Sequence, residues 1–321
     1  MRILITGANG YLGGQLSRYL ACAGHSVTAL CYPEIPDDKQ WCSVVSETIR
    51  GDITDKHVLD FLAHCTFDAA IHLVSLDQNR SAVVSPEDAL RINVLPCWNL
   101  LRILSENGLK KFVFFSTVHV YGKIEEGIIT EDHKLNPVNV YALTHVLAEN
   151  VCDYYNRSSE TECITVRLSN SYGPPVFAGN NCWWLVVNDL CRTAYNSKKI
   201  ILKSDGSAVR DFIFGEDVCR AVGTILEKSH KRKEKNIYHI SSSRTYTILE
   251  LAGYVKKVFL NLFGEDIPVN TSLEENVSDF NRFSNIHRYV IDNKRLTDLG
   301  FKPKYDIERG IEAMFDYFSS K

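Results

Sequence analysis

The chain has 321 residues, of which 45% are hydrophobic and 23% are charged, and its formal net charge is −3. This composition is typical of a globular protein and excludes a disordered or fibrous chain. The mildly acidic balance argues against a protein that binds nucleic acid or a membrane surface through basic patches. No apolar run approaches the length of a membrane span. Because the first predicted strand begins at Arg2, we expect no signal peptide.

The ten cysteines are spread along the chain without a C-x-x-C pair. This spacing does not favour a zinc site or a redox dithiol, so we expect no metal. Most of the cysteines lie inside apolar runs and are typical of small core residues. A reducing, cytoplasmic compartment is the simplest interpretation.

The first half of the chain alternates short β-branched segments with segments of helical periodicity. Strands are predicted over residues 2–6, 26–31, 47–51, 68–74, 111–116 and 163–168. Helices are predicted over residues 10–23, 55–63, 86–107 and 138–156. Nearly apolar strands that alternate with helices indicate a parallel sheet covered on both faces. The sequence therefore predicts a doubly wound α/β fold with right-handed crossovers.

The second half of the chain is less regular. Residues 173–181 are rich in Pro, Gly and Asn and predict a loop. Helices are predicted over residues 182–196 and 216–228, and strands over residues 200–202, 211–214 and 237–240. Further elements are predicted over residues 247–263, 267–271, 292–299 and 307–318. The last of these elements predict a smaller C-terminal lobe. The basic run at residues 228–235 has no apolar anchor and is interpreted as a solvated loop.

A glycine-rich turn follows the first predicted strand. Gly7, Gly10 and Gly13 have the spacing G-x-x-G-x-x-G between a strand and a helix, with Tyr11 and Leu12 inside the turn. The first glycine can form the tight turn, the second lets backbone approach a pyrophosphate, and the third lets the helix pack close to the strand. The positive end of the helix then faces the phosphates. The turn predicts a Rossmann-type dinucleotide site.

The second strand ends at Cys31, where NAD sites usually place Asp or Glu. No carboxylate at this position repels a 2′-phosphate, and no arginine binds one. The sequence therefore favours NADP slightly and leaves NAD open. Asp52 and Ile53 follow the third strand and are assigned to the same site. Asp52 could bind the adenine amino group or cap a helix.

Further motifs follow in order: FSTVHVYG at residues 115–122, YALTH at 141–145, RLSNSYGP at 167–174, RDFI at 210–213 and LGFKP at 299–303. Together with the glycine turn they resemble the extended short-chain dehydrogenase/reductase family, specifically its nucleotide-sugar epimerases, dehydratases and 4-ketoreductases. The resemblance covers essentially the whole chain. It implies a dinucleotide-binding domain over residues 1–170, which residues 209–245 rejoin, and a discontinuous substrate-binding domain over residues 171–321.

The resemblance also implies the chemistry. Tyr141 exchanges a proton with a sugar carbinol while a hydride moves at the sugar carbon. Thr117 matches the hydroxyl residue that hydrogen-bonds the same oxygen. Leu73, Val74 and Ser75 match the segment along the nicotinamide ribose.

On the substrate side, the family residues that contact a nucleotide-diphosphate sugar match Asn170, Asn181, Arg210 and Arg282. Two guanidinium groups suit a dianionic diphosphate, although each arginine could instead form a surface ion pair. The resemblance further implies a homodimer in which the helices at residues 88–107 and 138–156 pair across a two-fold axis. Their outward faces are expected to carry Leu101, Leu104, Leu147 and Val151, although such residues also suit the side that packs on the sheet.

His145 is the first departure from the family pattern, which places a lysine four residues after the tyrosine. A free histidine titrates near ~6.5 and a free lysine near ~10.4, so at about pH 7.5 only ~10% of an unperturbed histidine is charged. His145 keeps a hydrogen bond to the ribose but loses most of the charge that lowers the tyrosine pKa. The change disfavours a reaction that begins by oxidising the sugar and tolerates one that begins by reducing a ketone.

The second departure is Val118-His119, where the dehydratases carry Asp-Glu. The missing acid and base argue against a 4,6-dehydratase. His119 could move a proton at a carbon beside the ketone, or it could only hydrogen-bond a substrate hydroxyl.

The leading hypothesis is an NAD(P)H-dependent 4-ketoreductase that acts on a nucleotide-linked 4-keto sugar, most simply a 6-deoxy sugar. The alternative enzyme is a nucleotide-sugar 4-epimerase with tightly bound NAD. The second alternative is a catalytically impaired, nucleotide-binding regulatory subunit.

Overall fold

The computed structural model describes residues 1–124, 126–228, 234, 236–283 and 285–320, so most of the basic run at residues 228–235 lies outside the described residues. The strands are β1 (Arg2–Thr6), β2 (Ser26–Cys31), β3 (Glu47–Arg50), β4 (Ala69–His72), β5 (Lys111–Thr117), β6 (Gly127–Ile129), β7 (Glu162–Leu168), β8 (Asn170–Tyr172), β9 (Ile200–Ile201), β10 (Val209–Phe214), β11 (Asn236–Ile240), β12 (Thr245–Thr247), β13 (Val269–Asn270) and β14 (Tyr289–Ile291). The helices are α1 (Tyr11–Cys22), α2 (Lys39–Val44), α3 (Lys56–Leu62), α4 (Gln78–Ser81), α5 (Pro86–Asn93), α6 (Leu95–Glu106), α7 (Val140–Ser158), α8 (Val186–Ser197), α9 (Gly215–Glu227), α10 (Ile248–Phe263), α11 (Lys294–Asp298) and α12 (Ile307–Ser319).

The central sheet has seven strands in the order β11-β7-β5-β4-β1-β2-β3. Every neighbouring pair in this sheet is parallel. The chain order reverses between β1 and β4, and in such sheets a crevice opens outside the carboxyl ends of the strands at the point of reversal. The predicted doubly wound α/β fold is confirmed.

The C-terminal lobe has a hydrophobic core of its own, built largely from one face each of α8, α10 and α12. Three small sheets, of order β12-β10-β8, β13-β9 and β14-β6, are separate from the central sheet. The helix α10 begins at a capping box in which the Thr247 hydroxyl and the Glu250 carboxylate each accept a hydrogen bond from the other residue's backbone N–H. Within the described ranges, no helix combines the length and apolarity that a bilayer span requires.

The predicted helix over residues 86–107 is wrong as a single element, because it divides into α5 and α6 at Val94. Val94 has φ −118° and ψ −52°, and Pro96 occupies the first turn of α6. Pro96 has no backbone N–H to donate to the Ile92 carbonyl four residues earlier, and its ring would clash with that carbonyl in a continuous helix. The two shorter helices follow from these constraints.

The predicted helix over residues 182–196 begins later, at Val186. In a helix from residue 182, the Asn181 carbonyl would accept from the Leu185 amide. Here it accepts from the Trp184 indole N–H at 2.9 Å. The Leu185 amide donates to Cys182 instead, and Leu185 is extended at φ −66° and ψ 128°.

The expected outward face of the long helices is also corrected. Leu101, Leu104 and Val151 are buried in the core between helices and sheet, and only Leu147 of the expected set is exposed. Helix α6 buries its leucine-rich face, and α7 a face of smaller side chains, in the core that also contains residues of β4 and β5. The exposed large apolar side chains on the two helices are Leu95, Trp98, Val140, Leu143, Leu147 and Tyr154.

Candidate active site

A cavity of about 560 Å³ lies at the carboxyl ends of the central strands. It extends from the glycine turn, past the ends of β4 and β5, to the first turns of α7 and the segment before α8. The predicted site residues that line it are Gly7, Gly10, Tyr11, Leu12, Gly13, Leu73, Ser75, Thr117, His119, Tyr141, His145, Asn170 and Asn181. The predicted residues that do not line it are Asp52, Ile53, Val74, Arg210 and Arg282.

The glycine turn has the backbone that a dinucleotide requires. Gly7 has φ +72°, in the left-handed region that favours glycine. A Cβ atom on Gly13 would lie 2.0 Å from the Gly7 carbonyl oxygen, so only glycine lets α1 pack this close to the turn. No side chain caps α1 at Gly10, which leaves the first-turn N–H groups free to bind phosphate. These residues fit the pyrophosphate of a dinucleotide.

Asp52 and Ile53 follow β3 and have structural contacts away from the cavity wall. The Asp52 carboxylate accepts hydrogen bonds from the Thr54 amide at 2.8 Å and the Thr54 hydroxyl at 2.9 Å. The cap of α3 is Asp55, so Asp52 does not cap that helix. Ile53 is buried in the core.

A charged pair that the sequence analysis missed stands at the ends of β2 and β3. The Asn9 side chain in the glycine turn donates to the Tyr32 carbonyl at 2.8 Å and the Glu34 carbonyl at 3.0 Å, which holds this segment against the turn. Arg50 donates to the Pro33 carbonyl at 2.8 Å and to the Glu34 carboxylate at 3.0 Å. The usual expectation for NAD sites concerns only the residue at the end of the second strand, which here is Cys31. The two charges come instead from the loop after β2 and from the end of β3.

The segment after β4 is fixed by hydrogen bonds from its surroundings. The Leu73 amide donates to the Thr6 hydroxyl at 3.4 Å, and the Leu76 amide donates to the Asn93 side chain at 2.7 Å. Val74 packs beneath the glycine turn, since a Cβ on Gly7 would lie 3.3 Å from its Cγ2. This packing explains why Val74 is near the glycine turn but does not line the cavity.

Tyr141 lies in the first turn of α7, which begins where the Asn139 side chain accepts a hydrogen bond from the Ala142 amide at 2.8 Å. Burial raises the pKa of Tyr141 to about 12, and a hydrogen bond with the Thr117 side chain opposes that increase. The His119 ring stands edge-on to the Tyr141 ring at 6.0 Å between centroids. Burial, and then the charge of Arg210, lower the pKa of His119. The phenol, the hydroxyl and the neutral imidazole therefore lie close together on the wall of the cavity.

His145 lies one helical turn after Tyr141, with 4.3 Å between the ring centroids. Its Nδ1 is 2.8 Å from the Tyr141 carbonyl oxygen. A carbonyl can only accept a hydrogen bond, so Nδ1 donates and Nε2 of the neutral ring keeps its lone pair. Burial lowers the pKa of His145 to about 4. His145 thus presents an acceptor and no positive charge where the family has a lysine.

Of the residues predicted to contact the substrate, the two asparagines line the cavity and the two arginines do not. The Asn170 side chain lines the cavity and donates to the Asp211 carbonyl at 2.8 Å. The Arg210 guanidinium donates to the Val209 carbonyl at 2.7 Å and does not reach the wall. Arg282 is paired with the Glu274 carboxylate, outside the wall.

Two further features of the site escaped the sequence analysis. Asp77, Gln78 and Asn79 line the cavity at the start of α4, a helix of 4 residues, which is too short to produce a periodic pattern. The second feature is Glu149, whose carboxylate accepts a hydrogen bond from the hydroxyl of Ser116, the residue before Thr117. The sequence did indicate this residue, because Glu149 follows Tyr141 by eight residues and His145 by four on one helix face. Among the residues that the structure describes, no three His, Cys, Asp or Glu side chains are grouped so as to bind a metal.

The sequence model of the NAD dependent epimerase/dehydratase family matches residues 3–241. The chain belongs to this family. The dTDP-glucose 4,6-dehydratase of Streptomyces antibioticus is 27% identical over 333 residues, which cover 99% of this chain and 92% of that protein. The UDP-glucose 4-epimerase of Thermotoga maritima, solved with UDP-glucose, has a TM-score of 0.82 at 21% identity and covers 100% of this chain and 99% of its own. The UDP-glucuronic acid 4-epimerase of Bacillus cereus, solved with NAD, has a TM-score of 0.79 at 21% identity, covering 100% of this chain and 97% of its own.

Membership of the epimerase/dehydratase family confirms the predicted relationship and the prediction of an enzyme. The two superposed structures share the α/β fold over the whole chain. The relatives are enzymes of nucleotide sugars, and NAD is the dinucleotide in a homologous structure.

Proposed function

We propose that this epimerase/dehydratase-family protein reduces the 4-keto group of a nucleotide-linked 6-deoxy sugar with a reduced nicotinamide dinucleotide. The observation that supports this function is the uncharged pair formed by Tyr141 and His145. With a Tyr141 pKa of about 12 and a His145 pKa of about 4, the phenol is protonated and the imidazole neutral near pH 7. A protonated phenol can donate to a ketone oxygen, whereas oxidation of an alcohol needs the phenolate as base.

Each side chain has a defined part in this reaction. The dinucleotide, bound along the glycine turn, supplies the hydride. Tyr141 holds its proton toward the ketone oxygen, and the Thr117 hydroxyl hydrogen-bonds the same oxygen and stabilises the charge that develops there. His145 accepts a hydrogen bond from a ribose hydroxyl through Nε2. His119, kept neutral by burial and by Arg210, hydrogen-bonds a sugar hydroxyl.

We further propose that Arg50 and Glu34 set the preference between NAD and NADP. The sequence favoured NADP because the residue at the end of the second strand, Cys31, carries no charge. In the structure, a positive charge from Arg50 and a negative charge from Glu34 lie near that strand end. Glu34 neutralises Arg50 and would repel a 2′-phosphate, so we expect NAD to bind at least as tightly as NADP. Glu34→Gln frees the guanidinium and should tighten NADP binding several-fold, with little change for NAD, in a fluorescence titration. An unchanged NADP affinity would contradict this assignment.

The second candidate is a 4-epimerase, because 4-epimerases superpose on the whole chain. An epimerase begins by oxidising its substrate, and with a tyrosine pKa of about 12 only a small fraction of the phenol is ionised near neutral pH. The raised pKa of Tyr141 therefore favours reduction as the first step. The regulatory-subunit alternative is not favoured, since Thr117, Tyr141 and the glycine turn all line one cavity.

A homodimer and a cytoplasmic location are also part of the proposal. Exposed apolar side chains recur at helical spacing on α6 and α7, where they suit a partner's identical face. All ten cysteines are free thiols, as is usual in a reducing compartment.

The experiment that tests the function is a turnover screen of purified protein. NADH and NADPH oxidation would be followed with dTDP- and UDP-linked 4-keto-6-deoxy sugars, and UDP-glucose would be assayed in parallel for epimerisation. We expect dinucleotide oxidation in proportion to the alcohol formed. Epimerisation with tightly retained NAD and no net oxidation would support the second candidate, and binding without either reaction would support a regulatory subunit.

A further inference from the structure

The wall of the cavity carries a single acidic side chain and no basic one among the described residues that line it. The acidic residue is Asp77, and neither a lysine nor an arginine is part of the wall. The two histidines on the wall, His119 and His145, have lowered pKa values and are neutral near pH 7. The wall of the cavity, which the dinucleotide and the sugar would share, therefore has a net negative charge near pH 7.

Asp77 is held in a defined position at the start of α4. Its carboxylate accepts a hydrogen bond from the Arg80 amide at 2.9 Å, and its second oxygen lies 3.4 Å from the Arg80 Nε. The Arg80 side chain is 72% exposed, whereas that of Asp77 is 31% exposed, so water screens the arginine much more than the carboxylate. The charge of Asp77 still reaches the reacting centre, where it contributes to the raised pKa of Tyr141.

The two arginines predicted on the substrate side, Arg210 and Arg282, do not offset this charge at the wall. Arg210 acts on His119 from outside the wall, and its guanidinium donates to the Val209 carbonyl. Arg282 is occupied by the Glu274 carboxylate. An anionic group on the sugar would lose its water without gaining a cationic partner from the wall.

We propose that Asp77 makes this site specific for nucleotide sugars whose hexose has an uncharged C6 group, methyl or hydroxymethyl, and excludes uronates. This specificity deepens the proposed function and rests on it. A uronate carboxylate would be desolvated opposite a like charge, which is a repulsive element of the kind that gives binding sites their specificity. A neutral sugar meets no such penalty, because its hydroxyls can donate to the Asp77 carboxylate.

The test compares sugars that differ only at C6. Binding of UDP, UDP-glucose and UDP-glucuronate, and of the three corresponding dTDP compounds, would be measured by isothermal titration calorimetry with the dinucleotide site saturated. Asp77→Asn removes the charge and keeps an oxygen that can cap α4. Asp189→Asn is the matched control, because Asp189 forms an i,i+3 pair with Arg192 at 3.2 Å but does not line the cavity.

The wild-type protein should bind the glucose compound about tenfold or more tightly than the glucuronate compound of the better nucleobase, as like-charge contacts predict. Asp77→Asn should reduce that ratio severalfold by strengthening glucuronate binding, and Asp189→Asn should leave it unchanged. Equal wild-type affinities for the two sugars, or a ratio unaffected by Asp77→Asn, would overturn the inference.

Failure of the proposed function has a different outcome. If neither sugar compound binds more tightly than its bare nucleoside diphosphate, the protein has no sugar site, and both the function and the inference are overturned. If the glucose preference and its dependence on Asp77 are observed but no ketone is reduced, the specificity stands and only the proposed reaction is wrong.

Discussion

At the scale of single residues, the active centre is defined by what surrounds the Tyr141 phenol. The phenol is buried, it hydrogen-bonds the Thr117 side chain, and its nearest aromatic neighbour is a neutral histidine. Burial disfavours the charged form of any acid, and here no lysine opposes that effect from the next turn of the helix. The chemistry of this site depends on whether the phenol gives its proton or takes one.

Tyr141→Phe should lower the rate of ketone reduction by about 10²-fold or more, because it removes the proton donor and leaves the cavity shape intact. Dinucleotide affinity should change little, since the glycine turn is untouched. Stopped-flow rates and a fluorescence titration would measure the two effects separately. Tyr254→Phe, on α10 and outside the cavity wall, is the matched control. A variant Tyr141→Phe with full activity would refute the assignment.

The residues that sequence could identify are those whose backbone position is tied to a motif. Gly13 is such a residue, because any side chain would collide with the turn. Tyr141 and Thr117 are others, since strand ends and helix starts fix them. The Arg50–Glu34 pair and Asp77 come from loops whose path depends on tertiary contacts such as the Asn9 hydrogen bonds, and local sequence does not encode that path.

At the scale of elements, the site depends on how α7 is fixed to β5 and β7. Arg167 of β7 makes two hydrogen bonds to Glu149 of α7, at 3.0 and 2.7 Å. The Ser116 hydroxyl of β5 donates to the same carboxylate at 2.5 Å, and Arg167 also donates to the Tyr121 hydroxyl at 2.7 Å. The ion pair is buried. One carboxylate therefore joins β7 to β5, which carries Thr117, and to α7, which carries Tyr141 and His145.

Glu149→Gln should destabilise the protein by about 3 kcal/mol, because it leaves the buried Arg167 charge without its partner. The free energy of unfolding, from denaturant titration, is the measurement. Arg157→Gln is the control on the same helix, since its ion pair with Asp153 is exposed on the arginine side and should contribute less than about 1 kcal/mol. Equal effects of the two substitutions would show that the buried pair does not hold the helix.

The elements also show where local pattern is sufficient and where it fails. The apolar strands of the central sheet were predictable because burial on both faces leaves a continuous apolar run. The short strands β6, β8, β12 and β14 were not, because each has 3 residues and depends on pairing with distant segments. The start of α8 depends on the Trp184 indole N–H, which donates to the Asn181 carbonyl that would otherwise accept a hydrogen bond within the helix.

At the scale of the whole molecule, the apolar face of α6 and α7 predicts self-association. Trp98 of α6 and Leu143 and Leu147 of α7 are exposed, and the two leucines lie four residues apart on one face of their helix. Trp98→Glu combined with Leu147→Glu should convert a dimer into a monomer in sedimentation velocity at micromolar concentration, because it places charge in the proposed interface. Leu262→Glu, an exposed leucine on α10, should leave the dimer intact. A monomeric wild-type protein would contradict the proposed interface.

The most direct test of the central claim is the pH dependence of the reaction in both directions, for wild type and His145→Lys. Donation needs the phenol, which is present at all pH values below its pKa of about 12, so the wild-type rate of ketone reduction should be flat from about pH 6 to 10. Alcohol oxidation needs the phenolate and should rise about tenfold per pH unit over the same range. His145→Lys adds a positive charge beside Tyr141 and should shift the oxidation profile to lower pH. A wild-type rate of ketone reduction that already decreases as the pH rises from 6 to 9 would contradict the account. So would a wild-type rate of alcohol oxidation that reaches its plateau near neutral pH.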